Sequence, residues 1–581
     1  MITKPQIDLP NIHRSLGSLR PAETSPGTSR KSFSEGEGHP KPKRPSQIGA
    51  AIQYGRMPAE DPFEPTQGKR AEKLRTLISG SNDFYGANSL ETFSSANSLT
   101  YTHEDADGFL DYPTSFSGKA ANYWRKDAGV KVWAYEETYD NWQNTFGMDA
   151  VMVFYHSGHG AMDGSGVFQA PLGGKWDNRD WAFSNNMAFA NEELRYLFWS
   201  TCFSLRVSGP DSPVRTWWNP NKGGLRMLFG YETTSVDNPN YGKFFWDEWK
   251  KGKTLARAFL DASWRISHNQ VPVVMAAGAN ATEAINRLNT ERFFSRTPVG
   301  KGWYQWQWIG TLPSRSFASK TTVPKNLNGL ILADKFGPDE RLIGIARKAG
   351  LSRQAATEIQ FDAKGNRRLA SKEVQVNVNT QGALNIHFGQ SNFQNTTRLN
   401  EAKAIKAAQG LINELGLGVG IELKLGNIRH RFTCGGSREG SGTLEKPSVL
   451  ETIVQFRQSH RGVESVNSDH GLIAIAVDND GAIVNLYDST KTVLNESETS
   501  LANHLSPRDP KRSTPLKAAA LFQQQIRKIN PQASGKGSVV REKVGYDFSG
   551  NLAMVVHQKD VELNFGKNLR KRYKIRVPIG E

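Results

Sequence analysis

The chain has few cysteines and no long apolar run, and both absences narrow what it can be. Its 581 residues include two cysteines, Cys202 and Cys434. They lie too far apart to suggest a disulfide framework, and a reducing compartment is compatible. No stretch approaches the ~18 apolar residues that a membrane helix needs, and the N-terminus lacks the apolar core of a signal peptide. The expectation is a chain with no membrane span, cytoplasmic or exported by a route without a conventional signal peptide. Hydrophobic residues are 37% of the total, low for a fully globular chain, so part of it is expected to be disordered. Residues 1–75 fit that part. They hold ten of the 27 prolines, with Ser, Gly and mixed charge, a composition that buries too little to offset chain entropy.

Acidic residues are also in deficit. A net charge of +16 raises nucleic acid, an anionic membrane or an acidic protein as partners. The excess is scattered, and no nucleic-acid-binding motif accompanies it. Its densest cluster, KNLRKRYKIR from Lys567 to Arg576, has the alternation of a strand with one solvated, charged face.

What the chain does contain is organised around two apolar runs. One is DAVMVFYHSGHG, Asp149 to Gly160, and the other LRYLFWSTC, Leu194 to Cys202. Each has the pattern of a buried strand of a parallel sheet and stops at small or polar residues. In open parallel sheets ligands bind at the carboxyl ends of the strands, so adjacent strands would set His159 beside Cys202. A thiol is mostly protonated at neutral pH, and a neighbouring imidazole can take its proton and hold the thiolate. Gly160 leaves its own N–H approachable, and with the N–H of Cys202 it would form an oxyanion hole. His156 and His159 could instead act as an H-x-x-H metal pair, although no third ligand follows at metal-site spacing. Asp177, Arg179, Asp180 and Arg206 are candidates for substrate specificity by their nearness in sequence. Trp176, Trp181 and Phe183 are candidates to line a cleft.

An apolar strand ending in His-Gly, then about forty residues later one ending in a small residue and Cys, resembles the caspase-like cysteine peptidases, the group of caspases, gingipains, clostripain and separase. The resemblance spans Asp83 to Gly310. It rests on Gly158-His159-Gly160 and on the order His before Cys, and departs from the family at Ser200-Thr201-Cys202, where many members have an acidic residue two before the cysteine or Ala or Ser directly before it. It implies an α/β domain with a mostly parallel, layered sheet over residues 76–312, acting as a cysteine endopeptidase on polypeptide substrates. The implied catalytic residues are His159 and Cys202, with Gly160 and Cys202 as the oxyanion hole, and no cofactor or metal. The alternatives are a non-catalytic binding or scaffold protein of the same fold with a basic surface, and a metal-dependent hydrolase.

Local patterns fill in the rest of this half. Leu99–Tyr101 and Val130–Glu136 are expected strands, Glu104–Gly108 an acidic turn, and Ala120–Lys126 a short helix. The connection Ala161–Asn191 is expected to carry a crossover helix ending near Leu194. Leu225–Tyr231 and Val271–Ala277 should be strands, Asn240–His268 a helix broken at Gly252, and Ala281–Leu288 a helix. After a linker at 313–336, residues 337–581 should form an α+β regulatory region. Its clearest elements are the amphipathic helix Leu399–Leu415, strands at Val449–Arg457, Leu472–Asp478 and Ala482–Tyr487, the helix Leu516–Ile529 and a closing strand pair. Asn479-Asp480-Gly481 marks a hairpin. The run Thr452–Tyr487, through Phe456-Arg457-Gln458, Gly462-Val463 and Asp478–Gly481, is similar to PepSY and fungalysin-propeptide domains. That resemblance implies an inhibitor or folding assistant of the peptidase it accompanies, here tethered after the catalytic half.

Overall fold

The computed structural model describes residues 83–136, 142–311, 328–336, 339–352, 354, 358–362, 365–371, 373–438, 444–496, 518–529 and 537–578. The proline-rich arm, the basic residues of the linker (Arg315, Lys320, Lys325) and Leu516 lie outside them. The first half contributes β1 (Tyr85–Ser89), β2 (Trp124–Lys126), β3 (Val153–Ser157), β4 (Ala161–Met162), β5 (Phe168–Trp176), β6 (Arg179–Phe183), β7 (Tyr196–Ser200), β8 (Met227–Tyr231), β9 (Pro272–Gly278) and β10 (Trp303–Gly310). The order β2-β1-β3-β7-β8 is parallel throughout, and β9 and β10 follow antiparallel. Every residue of β1, β3, β7, β8 and β9 is buried, and in β3, β7, β8 and β9 the sequence shows this as largely apolar runs, whereas β1, YGANS, carries no such signal. Successive side chains feed two cores. Val153, Tyr155, Tyr196 and Phe198 face the helices Thr102–Ser117, Tyr241–Trp249 and Leu255–Ile266. Phe154, Leu197 and Trp199 face β5, the helix Pro213–Trp217 and Tyr304.

Several local expectations are overturned. Leu99–Tyr101 is not a strand, and the acidic segment lies inside the helix Thr102–Ser117, where Ala106, Phe109, Leu110 and Pro113 make its buried stripe. The end of Ala120–Lys126 is the edge strand β2, and Val132–Ala134 is a turn of 3₁₀ helix. The connection between β3 and β7 has no crossover helix. It is a three-stranded antiparallel sheet, β4-β5-β6, whose Phe168, Ala170 and Leu172 alternate into the core.

The second half adds β11 (Leu330–Asp334), β12 (Gln360–Phe361), β13 (Arg367–Ala370), β14 (Gln375–Val378), β15 (Leu384–His387), β16 (Glu422–Gly436), β17 (Ser448–His460), β18 (Val463–Glu464), β19 (Leu472–Asp478), β20 (Ile483–Asp488), β21 (Lys491–Glu496), β22 (Ser538–Asp547), β23 (Leu552–Asn564) and β24 (Arg570–Pro578). The helix Glu401–Leu415 buries Ala404, Ala408, Leu411, Ile412 and Leu415 in a core shared with β17, β19 and β20. The residues expected as linker include a strand, because Leu330 and Leu332 alternate into a core with Tyr546, Phe548 and Val555. The two halves share one sixteen-stranded mixed sheet, since β16 pairs antiparallel with β10 from Tyr304↔Gly436 to Gly310↔His430. Buried ion pairs reinforce the seam, with Glu451 held by Arg257 and Arg431. The chain is therefore α/β with a large mixed sheet to which both halves contribute strands. Among the described residues no helix is long and apolar enough to cross a membrane.

Candidate functional site

Strands β1, β3 and β7 end together, with Ser89 paired to Ser157 and Ser157 to Ser200. His159 and Cys202 each follow their serine by two residues, so the register alone carries both to one edge of the sheet. Buried Asp105 fixes that edge, accepting from Ser157 Oγ at 2.7 Å, Tyr155 Oη at 2.8 Å and the Gly242 N–H at 3.0 Å.

Gly160 brings the two segments into contact. A Cβ on it would lie 2.7 Å from the Cys202 carbonyl oxygen, 2.7 Å from the Phe168 ring and 2.9 Å from Thr201 Cβ. Only glycine fits there, and the backbone oxygen cannot yield. Gly160→Ala is expected to cost roughly 1–3 kcal/mol as overpacking, measurable as a lower denaturation midpoint at unchanged slope. Neither the Gly160 nor the Cys202 N–H bonds another described residue, so both are free for an incoming oxyanion. Phe203, directly after the cysteine, sits at φ 56°. That left-handed conformation is costly for a phenylalanine, and it turns the chain sharply at the sulfur.

His159 is fully buried, and its Nε2 lies 3.1 Å from the Asn97 carbonyl oxygen. A carbonyl only accepts, so Nε2 carries the proton and Nδ1 is left as the basic lone pair. Nδ1 has no hydrogen-bond partner. The loop bearing Asn97 is pinned by Asp127, which accepts from the Glu91 and Thr92 N–H groups at 2.9 and 2.8 Å, and by a chain from Ser89 Oγ to His103 Nδ1 (2.8 Å) and His103 Nε2 to Asp127 (3.1 Å).

The Cys202 sulfur faces Ser235 and the far end of the chain. It donates to the Arg570 carbonyl at 3.0 Å, accepts from the Ser235 N–H at 3.3 Å and lies 3.4 Å from Ser235 Oγ. No hydrogen bond joins it to His159. The turn between β23 and β24 covers both groups, with Phe565 packed on the His159 ring at 4.7 Å between centroids. The Lys571 ammonium donates to Ser235 Oγ at 3.0 Å and to the Gly158 carbonyl at 3.3 Å. The charged cluster expected to be solvated is thus only partly so: Lys571 shares the buried face of β24 with Tyr573, Ile575 and Val577.

Other candidates fall elsewhere. His156 points to Tyr135 Oη at 2.6 Å and packs on Trp199. Among the described residues no three His, Cys, Asp or Glu side chains gather as metal ligands. Arg206 pairs with Asp211 and Glu232, and Arg179 with Glu136. Asp177 forms the β5–β6 turn at φ 50°. Trp176 packs on Trp142, whereas Trp181 lies at the site's rim, bonded to Ser95 and covered by Lys567. Sequence reasoning missed Asn97, Ser235, Asp237 and Lys571. Of these only Lys571 left a signal, a lysine in phase with Tyr573, Ile575 and Val577.

Burial, and then the Lys571 ammonium, push His156 and His159 from 6.5 down to about 3. Between those values the unfolded chain binds protons that the folded chain refuses, so stability is complete above pH 6.5 and falls as pH drops toward 3. Each ring contributes a slope of about 1.4 kcal/mol per pH unit. Chemical denaturation at pH 7, 6, 5 and 4 should show this loss, and His159→Gln should reduce the slope by up to one proton's worth.

Residues 84–309 match a family model described as Domain of unknown function (DUF6345). No curated protein and no solved structure matches the chain. The matched stretch holds His159, Gly160, Cys202, Ser235 and Asp237 and ends inside β10, short of the strand that covers them.

Proposed function

We propose that the chain is a caspase-like cysteine endopeptidase whose site is closed by its own C-terminal half. The observation that carries this is the state of His159: Nε2–H committed to the Asn97 carbonyl, Nδ1 free, and the adjacent Gly160 packed on the backbone of Cys202. Parallel strands that end in the dyad, with packed layers on both faces of the sheet, support the same fold type.

In the open site, His159 Nδ1 takes the Cys202 proton and the thiolate attacks the scissile carbonyl carbon. The Gly160 and Cys202 N–H groups hold the oxyanion. The C–N bond then breaks as Nδ1 returns the proton to the leaving amine. Water, deprotonated by Nδ1, cleaves the thioester, releasing the acid and restoring the thiol. No cofactor enters this sequence.

The closed arrangement blocks it at the first step, because the thiol proton is directed to Arg570 and not to His159. The PepSY-like half then serves as a tethered inhibitor, acting at high local concentration. That same burial also favours the second reading, a non-catalytic scaffold in which the dyad residues are packing groups. Incubating the purified chain with a mixed peptide library separates the two. Hydrolysis that a thiol alkylator stops and a chelator spares supports the peptidase; no cleavage, even after limited proteolysis of the C-terminal half, supports the scaffold.

A further inference from the structure

Lysine is rarely buried without a reason, and the acceptors of Lys571 come from the other half of the chain. Gly158 and Ser235 hold its ammonium. Burial raises the Asp237 carboxyl and the Lys571 charge opposes that rise; the carboxyl accepts from the Thr100 N–H at 3.0 Å and Tyr573 Oη at 3.2 Å. The main chain around Lys571 is also paired. The Arg572 N–H donates to the Ser235 carbonyl at 3.2 Å, the Asp237 N–H donates to the Arg572 carbonyl at 3.0 Å, and Val236 and Arg572 form a parallel bridge. Strand addition to an exposed backbone edge, with one side chain in a pocket, is how extended peptides are commonly held. The preceding carbonyl, of Arg570, reaches the sulfur.

We propose that Arg570–Tyr573 is a built-in occupant of a peptide-binding cleft, and that Gly158, Ser235 and Asp237 form its pocket for a lysyl side chain. This rests on the peptidase reading for its consequence, that substrates present lysine there, but the pocket itself can be tested without turnover. The pocket offers one carbonyl and one hydroxyl to the point charge, with Asp237 near it but not ion-paired to it, which suits an ammonium better than the wider guanidinium fork. The built-in strand is not cut because the sulfur donates its proton to the carbonyl oxygen and so is not poised to attack the carbon.

The test is site-resolved alkylation of Cys202 by iodoacetamide in the full chain, read by peptide mass spectrometry. Lys571→Ala should speed it by about tenfold or more, as expected for losing two buried hydrogen bonds to a charge. The synthetic peptide LRKRY should then slow it again, the same peptide with norleucine for lysine should not, and the arginine version should do so only weakly. Asp237→Asn, nearly isosteric, provides a second variant should Lys571→Ala fail to fold; it should also speed alkylation and weaken the peptide's protection. A folded Lys571→Ala chain with unchanged alkylation, or protection equal for lysine and norleucine peptides, overturns the pocket. If lysine-selective protection occurs but no peptide is ever hydrolysed, the pocket stands and the peptidase reading falls. If hydrolysis occurs without lysine preference, the reverse holds.

Discussion

Cys202→Ala is expected to remove peptide hydrolysis by about a thousandfold or more, and His159→Ala to do the same, because nucleophile and base act as a unit whose losses do not add. The double variant should be no worse than either alone. His156→Ala separates this account from a metal or alternative-base account. Its Nδ1 is engaged by Tyr135, so its loss should reduce stability more than turnover. The check is hydrolysis of a lysine-containing fluorogenic peptide by each purified variant, with circular dichroism to confirm folding. A loss at His156 equal to that at His159 would mean that the wrong histidine has been assigned.

Phe565→Asp should have the largest effect in the opposite direction, raising hydrolysis about a hundredfold. Phe565 is buried against His159 in a small core with Leu99, Ala161, Leu569 and Tyr573. An aspartate cannot stay there ionised, since an unpaired buried charge costs several kcal/mol. The end of the β23–β24 hairpin, carrying Arg570 and Lys571 with it, should leave the cleft while the two strands keep their pairing with each other. Ending the chain near Gly310 is a less clean way to open the site, because it strips β16 from β10 and leaves a long, partly apolar strand edge exposed. Initial rates of the full chain and of Phe565→Asp on the same peptide measure the effect. Equal rates from two folded proteins would show that the turn does not restrain the site.

How far such a site can be read from sequence depends on which atoms make it. His159 and Cys202 were legible because VMVFY and YLFWS are buried on both faces and stop abruptly. The helices at Tyr241–Trp249, Leu255–Ile266 and Glu401–Leu415 were legible from their apolar stripes. Asn97 was not, because it contributes a backbone carbonyl, which every residue has. The pairing of β10 with β16 was not legible either. It joins segments more than a hundred residues apart, and nothing local to either marks the partner. Glu104–Gly108 was misread because its charges suggested a turn, whereas Ala106, Phe109, Leu110 and Pro113 decide its structure. Lys571 was absorbed into a charged run although its phase places it with Tyr573 and Ile575, and phase determines which side of a strand a residue faces.

Covalent capture of the Cys202 sulfur reports on the dyad itself. The Phe565→Asp chain is treated with a short lysyl peptide bearing an acyloxymethyl ketone, and the adduct is located by peptide mapping. One peptide per chain is expected, on Cys202 and not on Cys434, with labelling lost in His159→Ala. Labelling of Cys434 in place of Cys202, or labelling of Cys202 that is as fast without His159, would mean that the two residues do not act as nucleophile and base.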